Sequence, residues 1–321
     1  MSDFVLSVRA VRSGAFVADV GPSKYLEVPD AAGTTDPSQA TTKADWFSKV
    51  ISAAEWKNAN GDPRGDILFV VHGFNSKPAE VLDRHRRIKQ DLLGLGFKGV
   101  VVSYDWPSDD SALAYLNDRH RAKLTAMQLV TDGIARLSRL QTPDCTINVH
   151  VLGHSTGAYV IREAFDDADD SKFENGAWGV SQVVFIAGDI SASSMGAGDP
   201  STESLYGHCV RLTNYSNRHD QVLDISNVKR LGIAPRVGRV GLPPDAPARA
   251  VNINCTEYYA QLVASAALMA ADQPNGFVGV PSHSWYFGNR VFMNDLFYTL
   301  IGVDRTVVPT RSPAGPLLLG S

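Results

Sequence analysis

Cysteine is scarce in this chain of 321 residues: there are three, Cys145, Cys209 and Cys255. Their odd number and wide spacing make no CxxC or other metal-ligand pattern, which argues against a disulfide framework and a cysteine zinc site. They read instead as small buried hydrophobes of a reducing compartment. Positive charge is not in excess either. With 30 Lys and Arg against 34 Asp and Glu, a net charge of −4, the chain has no basic surplus to draw phosphate backbones or anionic membranes, and nucleic acid is not an expected partner. The longest apolar run, Leu262 to Ala271, is about half of the ~20 residues that a membrane span requires. It reads as a buried helix, and stable membrane insertion is not expected. The opening stretch MSDFVLSVRAVRSG has Asp3 and Arg9 where a secretion signal needs an unbroken apolar segment, so the expected location is cytoplasmic. HExxH, EF-hand and GxxxxGK patterns are missing, and no metal, nucleotide or other cofactor is expected. Repeats and low-complexity segments are missing too.

What the chain does have is apolar residues, 44% of the total, enough to build a large core. Domains of the α/β class often reach this length, so one domain over 1–321 is expected. Its N-terminal part, 1–65, reads as an antiparallel meander of short strands (FVLSVRAV, AFVADV, KYLEVP) followed by a helix over Lys43 to Asn58. From Asp66 onward, apolar runs of strand length recur: DILFVVHG, KGVVVSYDW, INVHVLGH, SQVVFIAGD, CVRLTNYS and RAVNINC. Helical patterns over Ala79 to Leu95, Asp110 to Leu140 and Thr156 to Ala168 separate the first four. Strands apolar throughout and alternating with helices indicate a mostly parallel sheet covered on both faces, with ligands at the carboxyl ends of its strands. The segment 225–250 reads as a lid or surface loop; its arginines lack interleaved aromatics and fit a solvated loop better than a phosphate site.

Gly153-His154-Ser155-Thr156-Gly157 fits GxSxG. The pattern alone also suits a serine capping an ordinary helix. A strand before it and a helix after it make it a nucleophile elbow, which holds Ser155 up in a tight turn with glycines on either side. Attack on a carbonyl creates an oxyanion that needs two donors. One is the N–H of Thr156, at the start of the following helix; the other is expected from FVVHGFN, as the N–H of Phe74 or else Asn75. A base must take the serine proton and an acid must hold the base's tautomer. Three histidines follow Ser155: His208, His219 and His283. His283, in the loop GVPSHSWYF, is the best base, because His208 precedes a strand and His219 sits beside the candidate acid. Asp220, after CVRLTNYS, is the preferred acid; Asp189, after VVFIAG, is its rival, and Asp224 reads as a solvated carboxylate. Trp106, Trp285 and Tyr286 are candidates for pocket walls.

Taken together, FVVHGFN, VSYDWPS, AYLNDR, VHVLGHSTGAYV, VVFIAGDI, NYSNRHDQVL and HSWYF, spread over Asp66 to Phe287, resemble the α/β-hydrolase superfamily and, within it, the bacterial family of α/β-hydrolases of unknown function. The resemblance implies an eight-stranded, mostly parallel sheet with helices on both faces. It also implies Ser155 as nucleophile, Asp220 as acid, His283 as base, and Phe74 with Thr156 as oxyanion donors. A serine hydrolase, in first place a carboxylesterase acting on a small-molecule ester without a cofactor, is the expected activity. An acyltransferase, lipase or thioesterase would use the same triad, and a catalytically silent binding protein of this fold is the reading from a different class.

Overall fold

A computed structural model describes residues 2–108, 115–138, 141–142, 145–170, 178–228, 234–272 and 280–312. The chain begins with β1 (Ser2–Arg12), β2 (Ala15–Pro29), β3 (Ala40–Thr41), α1 (Lys43–Ala54), β4 (Glu55–Lys57), β5 (Pro63–Val71), α2 (Pro78–Gly94) and β6 (Val100–Asp105). Next come α3 (Tyr115–Leu129), a π turn (Val130–Ile134), α4 (Ala135–Ser138), β7 (Gln141–Thr142), β8 (Cys145–His154), α5 (Thr156–Asp170), β9 (Val180–Ile186), α6 (Pro200–Gly207) and β10 (Cys209–Ser216). The remainder is α7 (Gln221–Val228), α8 (Val237–Val240), β11 (Ala250–Asn254), α9 (Thr256–Ala264), α10 (Ala266–Asp272), α11 (Pro281–Ser284) and α12 (Arg290–Leu300).

The central strands are mostly apolar because both of their faces are covered. In β5, Ile67, Phe69 and Val71 pack into one apolar cluster, while Leu68 and Val70 join another. The first cluster takes α1, α3 and α5 onto its side; the second takes α2, α9 and α12. The strand order is β11-β10-β9-β8-β5-β6-β1-β2-β3. From β11 to β1 every pair is parallel, and β2 closes the edge antiparallel. These are the eight long strands; β3, β4 and β7, of two or three residues each, bring the described sheet to eleven. Chain order reverses between β5 and its neighbours β8 and β6, which makes the carboxyl end of β5 and β8 the crevice where ligands of such sheets bind.

Several local expectations are corrected. AFVADV and KYLEVP are one strand, β2, rather than two, because Gly21 carries the chain through a register shift; a Cβ there would lie 2.6 Å from the Ala10 Cα. The helix expected over Lys43 to Asn58 ends at Ala54, and its last residues turn into β4. The helix expected over Asp110 to Leu140 lies in part outside the described residues. Leu262 to Ala271 is broken at Ser265 into α9 and α10, and most of it faces solvent: Val263 and Leu268 are exposed, whereas Leu262 is buried. The run is rich in alanine, which gains little from burial. Among the described residues no helix is long and apolar enough to cross a membrane. Cys209 and Cys255 are free and buried, as their scarcity suggested; the Cys145 side chain lies outside the described residues.

Within 225–250, residues 236–238 and 241 are packed against the body of the protein, whereas 244, 245, 248 and 249 are exposed. Val237 and Gly238 are buried, the N–H of Gly238 donates to Gly188 at 3.0 Å, and Arg236 is 1% exposed. Close packing also explains Gly157. A Cβ there would stand 2.2 Å from the Val71 carbonyl oxygen, so α5 lies against the end of β5 closer than any side chain allows. Gly157→Ala is expected to lower the unfolding free energy by about 3 kcal/mol, read as a shift of the urea midpoint at constant slope.

Candidate active site

The residues proposed for the chemistry come from separate parts of the chain. Ser155 follows β8 and opens into α5 at Thr156; Phe74 follows β5; Asp220 lies between β10 and α7; His283 lies in α11. Ser155 has φ +56°, left-handed backbone that a side-chain-bearing residue seldom adopts, at a cost of about 1–3 kcal/mol. Three hydrogen bonds hold it. Its N–H donates to the Ile186 carbonyl at 3.0 Å, and its carbonyl accepts from Ala158 N–H at 3.1 Å and Asp189 N–H at 3.0 Å. The loop after β5 closes on it: a Cβ on Gly73 would stand 2.7 Å from the Ser155 Cβ. Gly153 is equally constrained, since a Cβ would lie 2.7 Å from the Ala158 backbone.

His283 Nδ1 is 2.7 Å from Asp220 Oδ2, and both residues are buried. A carboxylate only accepts, so Nδ1 carries the proton and the neutral ring keeps a lone pair on Nε2, available for another proton. The second carboxylate oxygen of Asp220 accepts the Leu223 N–H at 3.0 Å, capping α7. Asn217 joins the acid loop to the base. Its carbonyl accepts from Asp220 N–H at 3.0 Å, its own N–H donates to Gly238 at 2.8 Å, and its side-chain amide donates to the Ser282 carbonyl at 3.1 Å. Ser282 Oγ in turn accepts the Gln221 N–H at 3.2 Å.

His154 links the elbow to the base. Its Nε2 lies 3.2 Å from the His283 carbonyl, the two rings are 4.8 Å apart, and Phe287 packs edge-on at 5.0 Å. Burial first, then the nearby His283 and Arg84, push the His154 imidazole well below its ordinary value. Neutral, it donates through Nε2–H.

Residues 49–249 of the chain are matched by the family described as alpha/beta hydrolase of unknown function (DUF900). The chain belongs to that family. No curated protein matches it. Among solved structures of the α/β-hydrolase class, similarity extends to an esterase B from Lactobacillus rhamnosis at 11% identity, over 81% of this chain and 95% of that one, with a TM-score of 0.36. A study of two fungal esterases from Rhizomucor miehei gives 15% identity, 82% and 88% coverage and a TM-score of 0.34. The RedJ thioesterase of the prodiginine pathway in Streptomyces coelicolor gives 14%, 59% and 77%, with a TM-score of 0.32.

Within this α/β-hydrolase chain the carboxylates separate cleanly. Asp220 lies against His283 Nδ1, whereas Asp189 Oδ1 is 3.2 Å from Arg236 Nε, both of those side chains being buried. Asp224 is exposed and 3.2 Å from Arg239. His208, at the amino end of β10, stacks on Trp178 and places Nε2 2.7 Å from Asp169. His219 is exposed, 6.1 Å from the Tyr259 ring. Phe74 is half-buried, and Asn75, the alternative donor, is exposed with φ +53°. Trp106, Trp285 and Tyr286 are fully buried. Trp106 stacks on His72, and the other two pack around Phe292, so all three belong to the core rather than to a pocket wall. Sequence reasoning overlooked His154 and Asn217. Asn217 carried a readable signal, an Asx turn in which the His219 N–H donates to its side chain at 3.0 Å; His154 carried none beyond its place in the elbow.

Proposed function

We propose that the protein is a serine hydrolase of carboxylic esters, with Ser155 as nucleophile, His283 as general base and acid, and Asp220 as the group that fixes the tautomer of His283. The observation that carries this reading is the 2.7 Å contact between His283 Nδ1 and Asp220, at the same strand ends where Ser155 is held in left-handed backbone. His283 Nε2 takes the hydroxyl proton as Ser155 Oγ attacks the ester carbonyl. The N–H groups of Thr156 and Phe74 receive the oxyanion; the first is one of the unbonded donors that begin any helix. Collapse of the tetrahedral intermediate releases the alcohol, protonated by His283, and leaves an acyl-enzyme. Water, deprotonated by the same histidine, then releases the acid.

A fluorophosphonate probe tests the reading directly. Labelling located at Ser155 by peptide mapping, together with hydrolysis of short p-nitrophenyl esters, is the expected result; folded protein that takes no label would point to a silent binding protein. Competition between water and an alcohol separates hydrolysis from acyl transfer. His154 enters here as a support of the base. His154→Phe keeps a ring in place but leaves the His283 carbonyl without that donor, an expected loss of about 1–3 kcal/mol. A fall in kcat of about tenfold with little change in KM is expected, the equivalent of about 1.4 kcal/mol in the barrier.

A further inference from the structure

Beneath the loop that follows β5 runs a chain of buried polar groups that take no part in the acyl chemistry. Arg9, on β1, places Nε 2.8 Å from Asp105 Oδ1, and its Nη2 donates to the Ser76 carbonyl at 2.8 Å. Ser7 Oγ donates to the other Asp105 oxygen at 2.9 Å. Asp105 Oδ1 is also 3.3 Å from His72 Nε2. Trp106 braces His72 from three directions: its backbone N–H donates to Nε2 at 3.1 Å, its indole N–H donates to the His72 carbonyl at 2.8 Å, and its ring stacks on the imidazole at an interplanar angle of 6°. Finally, His72 Nδ1 lies 2.8 Å from the Gly73 carbonyl oxygen. Arg9, His72, Ser76 and Asp105 are all at most 3% exposed.

These contacts assign the His72 protons. A carbonyl oxygen only accepts, so Nδ1 carries hydrogen; a backbone N–H only donates, so Nε2 is bare. Burial pushes the His72 imidazole below its ordinary value and keeps the ring neutral. For Asp105 burial acts in the opposite direction, toward protonation, but the Arg9 guanidinium outweighs it and holds the carboxyl at about 2. Asp105 therefore stays ionised beside the guanidinium.

The consequence lies in one peptide plane. The Gly73 carbonyl and the Phe74 N–H belong to the same planar trans peptide, and so they point in opposite directions. Whatever grips the carbonyl therefore aims the N–H. Gly73 needs such a grip, because a residue without Cβ allows the plane to rotate, and a Cβ is forbidden there by the close approach to Ser155.

We propose that His72 and the Arg9–Asp105 pair together form a positioning device for the oxyanion hole: His72 Nδ1–H clamps the Gly73 carbonyl and so aims the Phe74 N–H, while Arg9, held by Asp105, pins the far end of the loop at Ser76. The assignment rests on the reading of Ser155 as nucleophile. His72 touches no substrate and acts through Phe74.

The test compares His72→Leu, which removes the donor, with His72→Asn, whose amide N–H can stand near the place of Nδ1–H. Three readouts are needed: kcat and KM on a p-nitrophenyl ester, the inhibition constant of a trifluoromethyl ketone whose adduct carries the oxyanion, and the pH profile. His72→Leu is expected to lose about 100-fold in kcat, with KM changed little and the ketone weakened by a similar factor. His72→Asn is expected to recover about tenfold of that loss, and the pH profile is expected to stay in place. A folded His72→Leu protein with parental kcat and parental ketone binding overturns the proposal. Should that variant fail to fold, nitrogen-15 spectra of the parent decide: Nδ1–H is expected throughout about pH 6 to 9, and an Nε2–H tautomer overturns the clamp. A parent that neither hydrolyses esters nor takes the fluorophosphonate refutes the nucleophile itself, a result distinct from an active parent indifferent to His72.

Discussion

Ser155→Ala is expected to lower kcat on a short p-nitrophenyl ester by on the order of 10⁶-fold, with no comparable loss of stability. Alanine keeps the Cβ that packs on Gly73 and must adopt the same left-handed backbone, so the three hydrogen bonds that hold the elbow persist. Only the oxygen that forms the acyl-enzyme is removed. The variant should unfold within about 1 kcal/mol of the parent while fluorophosphonate labelling disappears. Turnover within tenfold of the parent, in protein shown to be folded, would sink the assignment of Ser155.

The second large effect distinguishes two aspartates. Asp220→Asn replaces the acceptor of His283 Nδ1–H by an amide that can turn its NH₂ toward the ring, stabilising the wrong tautomer; a loss in kcat of about 10⁴-fold is expected. Asp189→Asn should behave differently. Its carboxylate balances Arg236 in the interior, and breaking a buried ion pair from one side costs about 3–5 kcal/mol. That variant is therefore expected to lose stability, measured by denaturant unfolding, while the folded fraction keeps kcat within a few-fold of the parent. Should Asp189→Asn abolish turnover at full stability and Asp220→Asn leave it intact, the roles proposed for the two residues would have to be exchanged.

Both expectations depend on distances that chain order alone does not determine. His283 and Asp220 are 63 positions apart, and the His154–His283 contact joins residues 129 positions apart. Each forms because parallel strands end at one edge of the sheet and their following loops meet there. Given that sheet, a histidine and an aspartate from separate loops become neighbours, although nothing in the local sequence of either loop identifies its partner. Asp189 and Asp220 occupy similar places after adjacent strands, and from the sequence they differ little. In the structure Asp220 lies against His283 while Asp189 lies 3.2 Å from Arg236, and an arginine among prolines and glycines gives no local sign that it is buried.

By itself the sequence determined the class of the fold and the residue types of the site. Strands buried on both faces are apolar in long runs, as LFVV, VVV and VVFI are, and a strained serine between a strand and a helix requires the small neighbours found in GHSTG. These are local requirements, and local sequence records them. Tertiary structure alone decided which acid meets the base, that His154 and Asn217 brace it, that β2 runs unbroken through Gly21, and that the alanine-rich run after Cys255 lies open to solvent. It also brought Arg9, from the first strand, beneath the loop that carries Phe74. The physical reason is that hydrogen bonds and ion pairs between distant segments depend on strand order and burial, properties of the assembled sheet rather than of any window of residues.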